Sequence, residues 1–273
     1  NRYDQNYKAI NEAYGRVVYA DLSKPENQET RDQFAKQIAP KMAQISGYDL
    51  SLRQNADMAK GIFTPFYEDQ NVNPVDPYGI AKLAAEKVLI SLCKLNQVEW
   101  AIAVPHNIVG PKQKYDDPYR NVMSIIIHKM LKKENPIIYG DGEQKRCFSF
   151  VNDCISPLYK MMTNRDANNQ IINIGPDEGT ITINELVNLC ANHLGYNGKP
   201  IYFKDRPLEV KNAFCSSDKA RRLLDYKTTT NIETAIAETA KYIKNKGIKD
   251  FDYNFDIEID NSLTPKTWKD KII

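Results

Sequence analysis

The chain has 273 residues, of which 42% are hydrophobic and 26% charged, a composition typical of a folded globular protein. Its 37 basic and 35 acidic residues give a net charge of +2, and no basic segment predominates, so nothing indicates a nucleic-acid partner. The apolar runs are much shorter than a membrane span, and no signal-peptide pattern opens the sequence. We therefore expect a cytoplasmic protein with neither nucleic acid nor a membrane as partner.

Cysteines and histidines are too scattered to indicate a metal site. The odd number of cysteines, five, fits reduced thiols better than a disulfide framework. The three histidines form no cluster in the sequence. We expect no bound metal at any of these residues: Cys93, Cys147, Cys154, Cys190, Cys215, His106, His128 and His193.

The first 60 residues contain a candidate strand but no phosphate-binding loop. Residues 17–22 have the pattern of a short buried strand, and residues 29–38 fit a polar helix. A dinucleotide fold needs Gly-x-x-Gly-x-x-Gly between its first strand and helix, because the backbone must approach a pyrophosphate at the helix N-terminus. Gly15 and Gly47 are the only glycines here, so that loop is missing from the sequence.

Tyr78 and Lys82 lie at the start of a segment whose apolar residues recur at helical spacing after Pro77. Residues four apart share a helix face, so the hydroxyl and the ammonium can reach the same point. A cation beside a phenol favours the phenolate, which makes Tyr78 a candidate general acid/base. Since Tyr-x-x-x-Lys also occurs by chance, the pair taken alone favours an ordinary surface contact.

Polar motifs follow in the second half of the chain. A β-type run at residues 99–104 leads into Pro-His-Asn-Ile-Val-Gly-Pro at 105–111. Tyr-Gly-Asp-Gly-Glu-Gln-Lys-Arg at 139–146 places two glycines in a tight turn before Arg146, whose guanidinium suits bidentate bonds to a diphosphate. Thr182 and Glu185 have the spacing of a helix capping box, and we expect residues 251–273 to form an extended tail.

In this order, with Arg-Pro-Leu-Glu at 206–209, the motifs resemble those of the extended short-chain dehydrogenase/reductases. The nearest branch is the nucleotide-sugar epimerases and dehydratases, including those that act on UDP-glucose, and the resemblance covers about residues 62–273. It implies an α/β fold, a doubly wound Rossmann-type parallel sheet whose first βαβ unit is incomplete here. The implied parts are an NAD-binding domain at 1–110 and a smaller nucleotide-sugar-binding part at 111–273, with about 148–165 returning to the sheet.

The resemblance implies NAD as the cofactor and a hydride transfer from C4 of a UDP-hexose. Tyr78 would take the hydroxyl proton, and the 4-keto sugar would turn over before the hydride returns to its other face. Lys82 would hold the nicotinamide ribose. Asp21 and Leu22 match the pattern that holds the adenine, although a strand-end aspartate that caps the next helix fits equally well. The implied cofactor-binding residues are Asp21, Leu22, Tyr78, Lys82, Pro105 and His106.

The same resemblance assigns the nucleotide sugar to a second set of side chains. Tyr139 would form the aromatic side of a uracil pocket, Arg146 and Arg206 would bind the two phosphates, and Glu209 the ribose hydroxyls. These roles together favour UDP as the nucleotide. The implied substrate-binding residues are Asn107, Asn121, Tyr139, Arg146, Arg206 and Glu209.

One catalytic position departs from the family. Where the family has a serine or threonine that hydrogen-bonds the sugar oxygen, this chain has Ala56 or Asp57, according to where a gap is placed, and neither is equivalent. A 4,6-dehydratase would need an Asp-Glu pair after that residue, but Met58 follows Asp57, so an epimerase is favoured.

Two explanations of the missing glycine loop remain open. The chain is a degenerate relative, engineered or inactive, that only binds a nucleotide sugar, or the sequence joins segments of a longer chain; the motifs retained downstream favour the second. The resemblance also implies a homodimer through the helix at 79–95, whose apolar stripe includes Leu83, Val88 and Leu92. That stripe is equally consistent with ordinary core packing.

Overall fold

A computed structural model describes residues 65–70, 72, 74, 77–119, 121–206, 209–253 and 264–273. The chain divides into two compact units, Asn1–Met58 and Ala59–Ile273, and every described residue lies in the second. The predictions for Asp21, Leu22 and Asp57 therefore lie outside the described residues. The domain boundary expected at residue 110 remains a prediction.

Helices and short strands alternate along the described residues. The helices are α1 (Pro77–Leu95), α2 (Val122–Leu131), α3 (Val151–Thr163), α4 (Ile183–Leu194), α5 (Asp218–Leu224), α6 (Ile232–Lys246) and α7 (Lys266–Lys269). The strands are β1 (Ala101–Pro105), β2 (Ile108–Val109), β3 (Ile137–Tyr139), β4 (Lys145–Arg146), β5 (Ser149–Phe150), β6 (Gln170–Ile174), β7 (Ile181–Thr182), β8 (Ile201–Phe203) and β9 (Asn212–Ala213). A 3-10 turn, Arg165–Ala167, precedes β6.

The longest strand pair is parallel, with β1 beside β6 in a register that runs from Ala101 opposite Gln170 to Pro105 opposite Ile174. The pairs β2–β5 and β3–β8 are also parallel, whereas β4 runs antiparallel to β7 and parallel to β9. Parallel strands joined through helices define an α/β architecture. The predicted β-run before residue 105 is confirmed, as is the helix that begins at Pro77.

One core packs against the β1–β6 pair. Ile172 and Ile174 of β6 are fully buried, and α3 and α5 cover them. The side chains that complete this core are Cys154, Met161, Ala167, Ala220, Leu224 and Tyr226. This packing fixes the carboxyl end of β1, where ligands of open α/β sheets usually bind.

A second core lies among α2, α4 and α6. Helix α4 begins with the predicted capping box, since the Glu185 backbone N–H donates to the Thr182 hydroxyl and the Thr182 N–H donates to the Glu185 carboxylate. It ends at Gly195, whose φ of +64° is the left-handed conformation that favours glycine. The buried side chains shared by the three helices include Ile126, Ile127, Leu186, Val187, Ile236 and Ile243.

The tail differs from the sequence prediction. Residues 266–269 form the short helix α7 instead of an extended segment, with Pro265 at its N-cap. Proline suits the start of a helix because it needs no N–H partner there. Among the described residues no helix is both long and apolar enough to cross a membrane.

Candidate functional site

A cavity of about 250 Å³ lies where the residues after β1, the start of α2, the β3–β4 turn and the segment around Arg206 meet. The six residues that the sequence predicts for a nucleotide sugar all line this cavity: Asn107, Asn121, Tyr139, Arg146, Arg206 and Glu209. They come from stretches up to about 100 residues apart in the sequence. The fold therefore brings the predicted set together, while the contact made by each residue remains a prediction.

The turn between β3 and β4 has a conformation that requires its two glycines. Gly140 and Gly142 have φ values of +67° and +76°. A Cβ on Gly140 would lie 1.8 Å from the Asp205 carboxylate, and its positive φ would strain any other residue there even if Asp205 moved away. Gln144 closes the turn by donating from Nε2 to the Tyr139 carbonyl at 3.1 Å. These contacts hold Tyr139 and Arg146 at the same cavity wall.

Two guanidinium groups share the carboxylate of Glu209. Arg206 donates from Nε to Oε2 at 3.2 Å and from Nη2 to Oε1 at 2.8 Å. Arg146 donates from Nη2 to the same Oε1 at 3.3 Å and to the Val210 carbonyl at 2.8 Å. Two positive charges on one negative charge leave this wall with an excess of one positive charge, which suits an anionic ligand.

Burial acts on both arginines, with different net results. It lowers the pKa of Arg146, and the nearby charge of Arg206 lowers it further. Burial also lowers the pKa of Arg206, but the hydrogen bonds and charge of Glu209 outweigh it and raise the pKa above its usual value. Arginine stays protonated in proteins, so both groups present a charge to the cavity at neutral pH.

Tyr139 is held on its ring face and at its hydroxyl. The Arg206 guanidinium carbon lies 4.9 Å from the ring centroid, a cation–π contact. The Tyr139 hydroxyl forms a hydrogen bond with the Thr267 hydroxyl, and burial raises the pKa of Tyr139, so the phenol stays neutral. The cavity therefore combines a neutral aromatic ring with cationic groups.

The two asparagines already support the cavity wall. Asn121 caps α2, because its Oδ1 accepts from the Met123 backbone N–H at 3.0 Å. Asn107 has a φ of +47° and donates from Nδ2 to the Cys147 carbonyl at 2.8 Å. Asparagine is one of the few residues that adopt this left-handed conformation readily. Their structural roles explain both residues without a ligand, and direct ligand contacts stay predictions.

Pro105 and His106 lie at the carboxyl end of β1, outside the lining of the cavity. The His106 Nε2 is 3.0 Å from the Pro176 carbonyl, and burial lowers the pKa of His106, which favours the neutral imidazole. Its buried Nδ1 has no hydrogen-bond partner among the described residues. Since buried polar atoms are normally paired, this nitrogen fits a site that takes a polar ligand group such as a carboxamide.

Tyr78 and Lys82 lie side by side on the first turns of α1. The Lys82 Nζ is 5.4 Å from the centroid of the Tyr78 ring, as expected for residues four apart. Tyr78 is 72% exposed, and neither residue lines the cavity. The two residues are therefore neighbours on one helix face, while their catalytic role remains a prediction.

Sequence reasoning missed an aromatic part of the cavity lining, Tyr119 and Trp268. Their rings meet edge to face, with centroids 5.3 Å apart and planes at 89°. No spacing rule joins residues so far apart in the chain. The only signal was composition, because Trp268 is one of two tryptophans. Within the described residues, no group of three or more metal-ligating side chains occurs.

Comparison with known proteins places these observations in a family. A model described as the NAD dependent epimerase/dehydratase family matches residues 55–175. A putative UDP-glucose 4-epimerase of Methanocaldococcus jannaschii is 34% identical over 185 residues, which are 67% of this chain and 58% of that protein. The chain therefore spans less than two thirds of the length of this curated relative.

Solved structures with the same fold include complexes with nucleotide sugars. The UDP-glucose 4-epimerase of Thermotoga maritima with UDP-glucose matches with a TM-score of 0.59 and 27% identity, covering 66% of this chain and 60% of that one. The UDP-glucuronic acid 4-epimerase of Bacillus cereus in complex with UDP-glucuronic acid and NAD matches with a TM-score of 0.64 and 25% identity, covering 69% and 59%.

Proposed function

Because this chain belongs to the NAD-dependent epimerase/dehydratase family, we propose that it inverts C4 of a UDP-hexose through a 4-keto intermediate. The observation that supports this most strongly is the cavity that joins two arginines to a neutral aromatic ring. A nucleoside diphosphate sugar offers the matching groups, a flat base and two phosphates. In the whole protein we expect a doubly wound sheet.

The two arginines that share the Glu209 carboxylate would bind the phosphates of the nucleotide. A diphosphate can accept bidentate hydrogen bonds from Arg146 and Arg206, and such charge-assisted bonds are stronger than neutral ones. Glu209 would then be free to accept hydrogen bonds from the ribose hydroxyls. The Tyr139 ring offers its face to the base, since aromatic rings stack on bases whatever their sequence.

The residues at the start of α1 and the end of β1 fit the nicotinamide end of NAD. When bound, NAD would supply the redox chemistry at C4. Tyr78 would take the 4-hydroxyl proton as C4 becomes a carbonyl and would return that proton when the sugar is reduced on its other face. Lys82, which lies beside Tyr78 on the same helix face, would hold the nicotinamide ribose. The unpartnered Nδ1 of His106 supports a polar ligand group beside Pro105.

A second candidate is a nucleotide-sugar-binding protein without catalysis. It is favoured by Ala56 or Asp57 at the position where the family has a serine or threonine, and by the exposure of Tyr78. A 4,6-dehydratase is the other alternative, and Met58 after Asp57 argues against it.

We also expect a homodimer through α1. The helix exposes Val88 at 57% and Leu92 at 55%, whereas Leu83 is half-buried. Exposed apolar side chains on one helix favour an interface. Light scattering coupled to size exclusion would give twice the chain mass for a dimer, and a single chain mass would rule this out.

The direct test is turnover of UDP-glucose by the purified protein with NAD added, followed by proton NMR. The proposal predicts conversion to UDP-galactose. A 4-keto-6-deoxy product would instead identify a dehydratase. Binding of UDP without any turnover would support the binding protein and contradict the epimerase.

A further inference from the structure

The segment 264–273 closes one side of the cavity. It contributes Trp268 from helix α7 and the buried Ile273 to the lining. In the sequence these residues lie about 60 positions after Glu209, the nearest of the predicted binding residues. The wall they form is therefore a separate element added to the predicted site.

Several contacts fix this segment against the cavity. The fully buried Thr267 bonds through its hydroxyl to the Tyr139 hydroxyl. The Tyr253 hydroxyl donates to the Ile273 carbonyl at 3.0 Å, and the Ile272 N–H donates to the Thr267 carbonyl at 3.1 Å. Because the segment is tied at both ends, its side chains form a defined wall.

Three aromatic side chains, Tyr119, Tyr139 and Trp268, line the cavity. Tyr139 is held by Thr267, and Trp268 is held edge to face by Tyr119. Aromatic walls of this kind bind flat heterocycles by stacking. At about 250 Å³ the cavity is also slightly smaller than the roughly 300–1,000 Å³ usual for ligand pockets. Because Trp268 and Ile273 border this space, a two-ring base would press against this wall more than a one-ring base would.

We propose that Trp268 forms the wall of the base subsite and restricts it to pyrimidine nucleotides, with Thr267 as the positioning residue for Tyr139. This inference rests on the proposed function, since it concerns the nucleotide part of the same site. Trp268 would thus determine how large a base the subsite accepts. The sequence motifs that define the phosphate contacts do not include this residue.

The test compares UDP and GDP binding by calorimetry in the intact protein and in the variants Trp268→Ala and Trp100→Ala. Trp100 is the only other tryptophan of the chain and directly precedes β1, outside the cavity lining. We expect Trp268→Ala to weaken UDP binding about tenfold, the loss of one base–aromatic contact, and to narrow the preference for UDP over GDP. Trp100→Ala should leave both affinities unchanged. If Trp268→Ala and Trp100→Ala bind UDP equally well and prefer UDP over GDP to the same degree, the inference is wrong.

A second measurement leaves Trp268 in place. In Trp100→Phe the only tryptophan is Trp268, so its fluorescence reports on the cavity wall. We expect UDP to change this emission with the same Kd as calorimetry gives. If UDP binds without changing the Trp268 emission, Trp268 does not contact the base; the inference then fails while the proposed function stands. A wild-type protein that binds no nucleoside diphosphate would overturn the proposed function, and the inference with it.

Discussion

The cavity lined by Arg146 and Glu209 differs from the start of α1 in how firmly its side chains are held in place. In the cavity, Arg146 and Glu209 have side chains that are 15% and 17% exposed, and each has several partners. At the start of α1, Tyr78 is 72% exposed and its recorded ring contact is Lys82. The side chains of the first region are held by hydrogen bonds and ion pairs, whereas Tyr78 in the second is largely open to solvent.

This difference separates binding from chemistry. The two arginines bind Glu209 in the free protein and would exchange that carboxylate for a diphosphate, so we expect nucleotide affinity to depend on the cavity residues alone. General acid/base catalysis depends on placing one proton-transfer group at the reacting atom. Substitutions in the first region should therefore weaken nucleotide binding, whereas those in the second should slow turnover.

Tyr78→Phe should give the largest effect. Removing the hydroxyl should lower kcat for UDP-glucose by about 10²- to 10⁴-fold, the usual contribution of a general acid/base. UDP affinity should not change, because Tyr78 does not line the cavity. The matched control is Tyr159→Phe, which removes the hydroxyl of another exposed tyrosine. A Tyr78→Phe protein with wild-type kcat would end the acid/base assignment.

Arg146→Ala should give the next largest effect, on binding. Loss of a charge-assisted pair to a phosphate should weaken UDP binding by about 2 kcal/mol, or roughly 30-fold. Calorimetry measures this directly, and Arg165→Ala, an exposed arginine outside the cavity lining, is the control. If the two variants bind UDP equally well, Arg146 does not contact the nucleotide.

The smallest expected effect is a loss of folding stability at low pH, caused by a histidine in the helical core. His128 is fully buried in α2; its Nε2 lies 2.8 Å from the Lys249 carbonyl, and its Nδ1 has no partner among the described residues. Burial lowers the pKa of His128, and Lys132 lowers it further. The unfolded chain, with a histidine pKa of about 6.5, then binds more protons, so stability should fall as pH drops below that value.

Urea unfolding at pH 7 and pH 5 measures this loss. One histidine contributes at most about 1.4 kcal/mol per pH unit. His128→Gln should reduce the loss of stability, because it removes the titrating ring, whereas His193→Gln on the exposed face of α4 should not. A pH dependence that is the same in all three proteins would show that His128 does not titrate in this range.

Local patterns predicted the parts of the molecule that short-range physics determines. The helix at Pro77, the capping box at Thr182 and the glycine turn before Arg146 each depend on residues a few positions apart. The bond between Tyr139 and Thr267 joins positions 128 residues apart, and no spacing indicates it. The same is true of the shared Glu209, which reaches Arg206 locally but Arg146 only through the fold.

Two further features, the helix-capping role of Asn121 and the short helix that carries Trp268, could not be predicted from the sequence. We expect Asn121 to bind the nucleotide, and the same side chain also caps α2, a use that the sequence motif does not indicate. The sequence predicts an extended tail, but a single turn that begins after Pro265 places Trp268 at the cavity. A one-turn helix has no apolar repeat to detect, so only packing shows it.

The most direct test of the separation between binding and chemistry is a calorimetric titration of the protein with UDP, with no NAD or sugar present. The account predicts one site per chain, with the same Kd in the wild type and in Tyr78→Phe and a clearly weaker Kd in Arg146→Ala. Loss of UDP binding in Tyr78→Phe, or unchanged binding in Arg146→Ala, would contradict it.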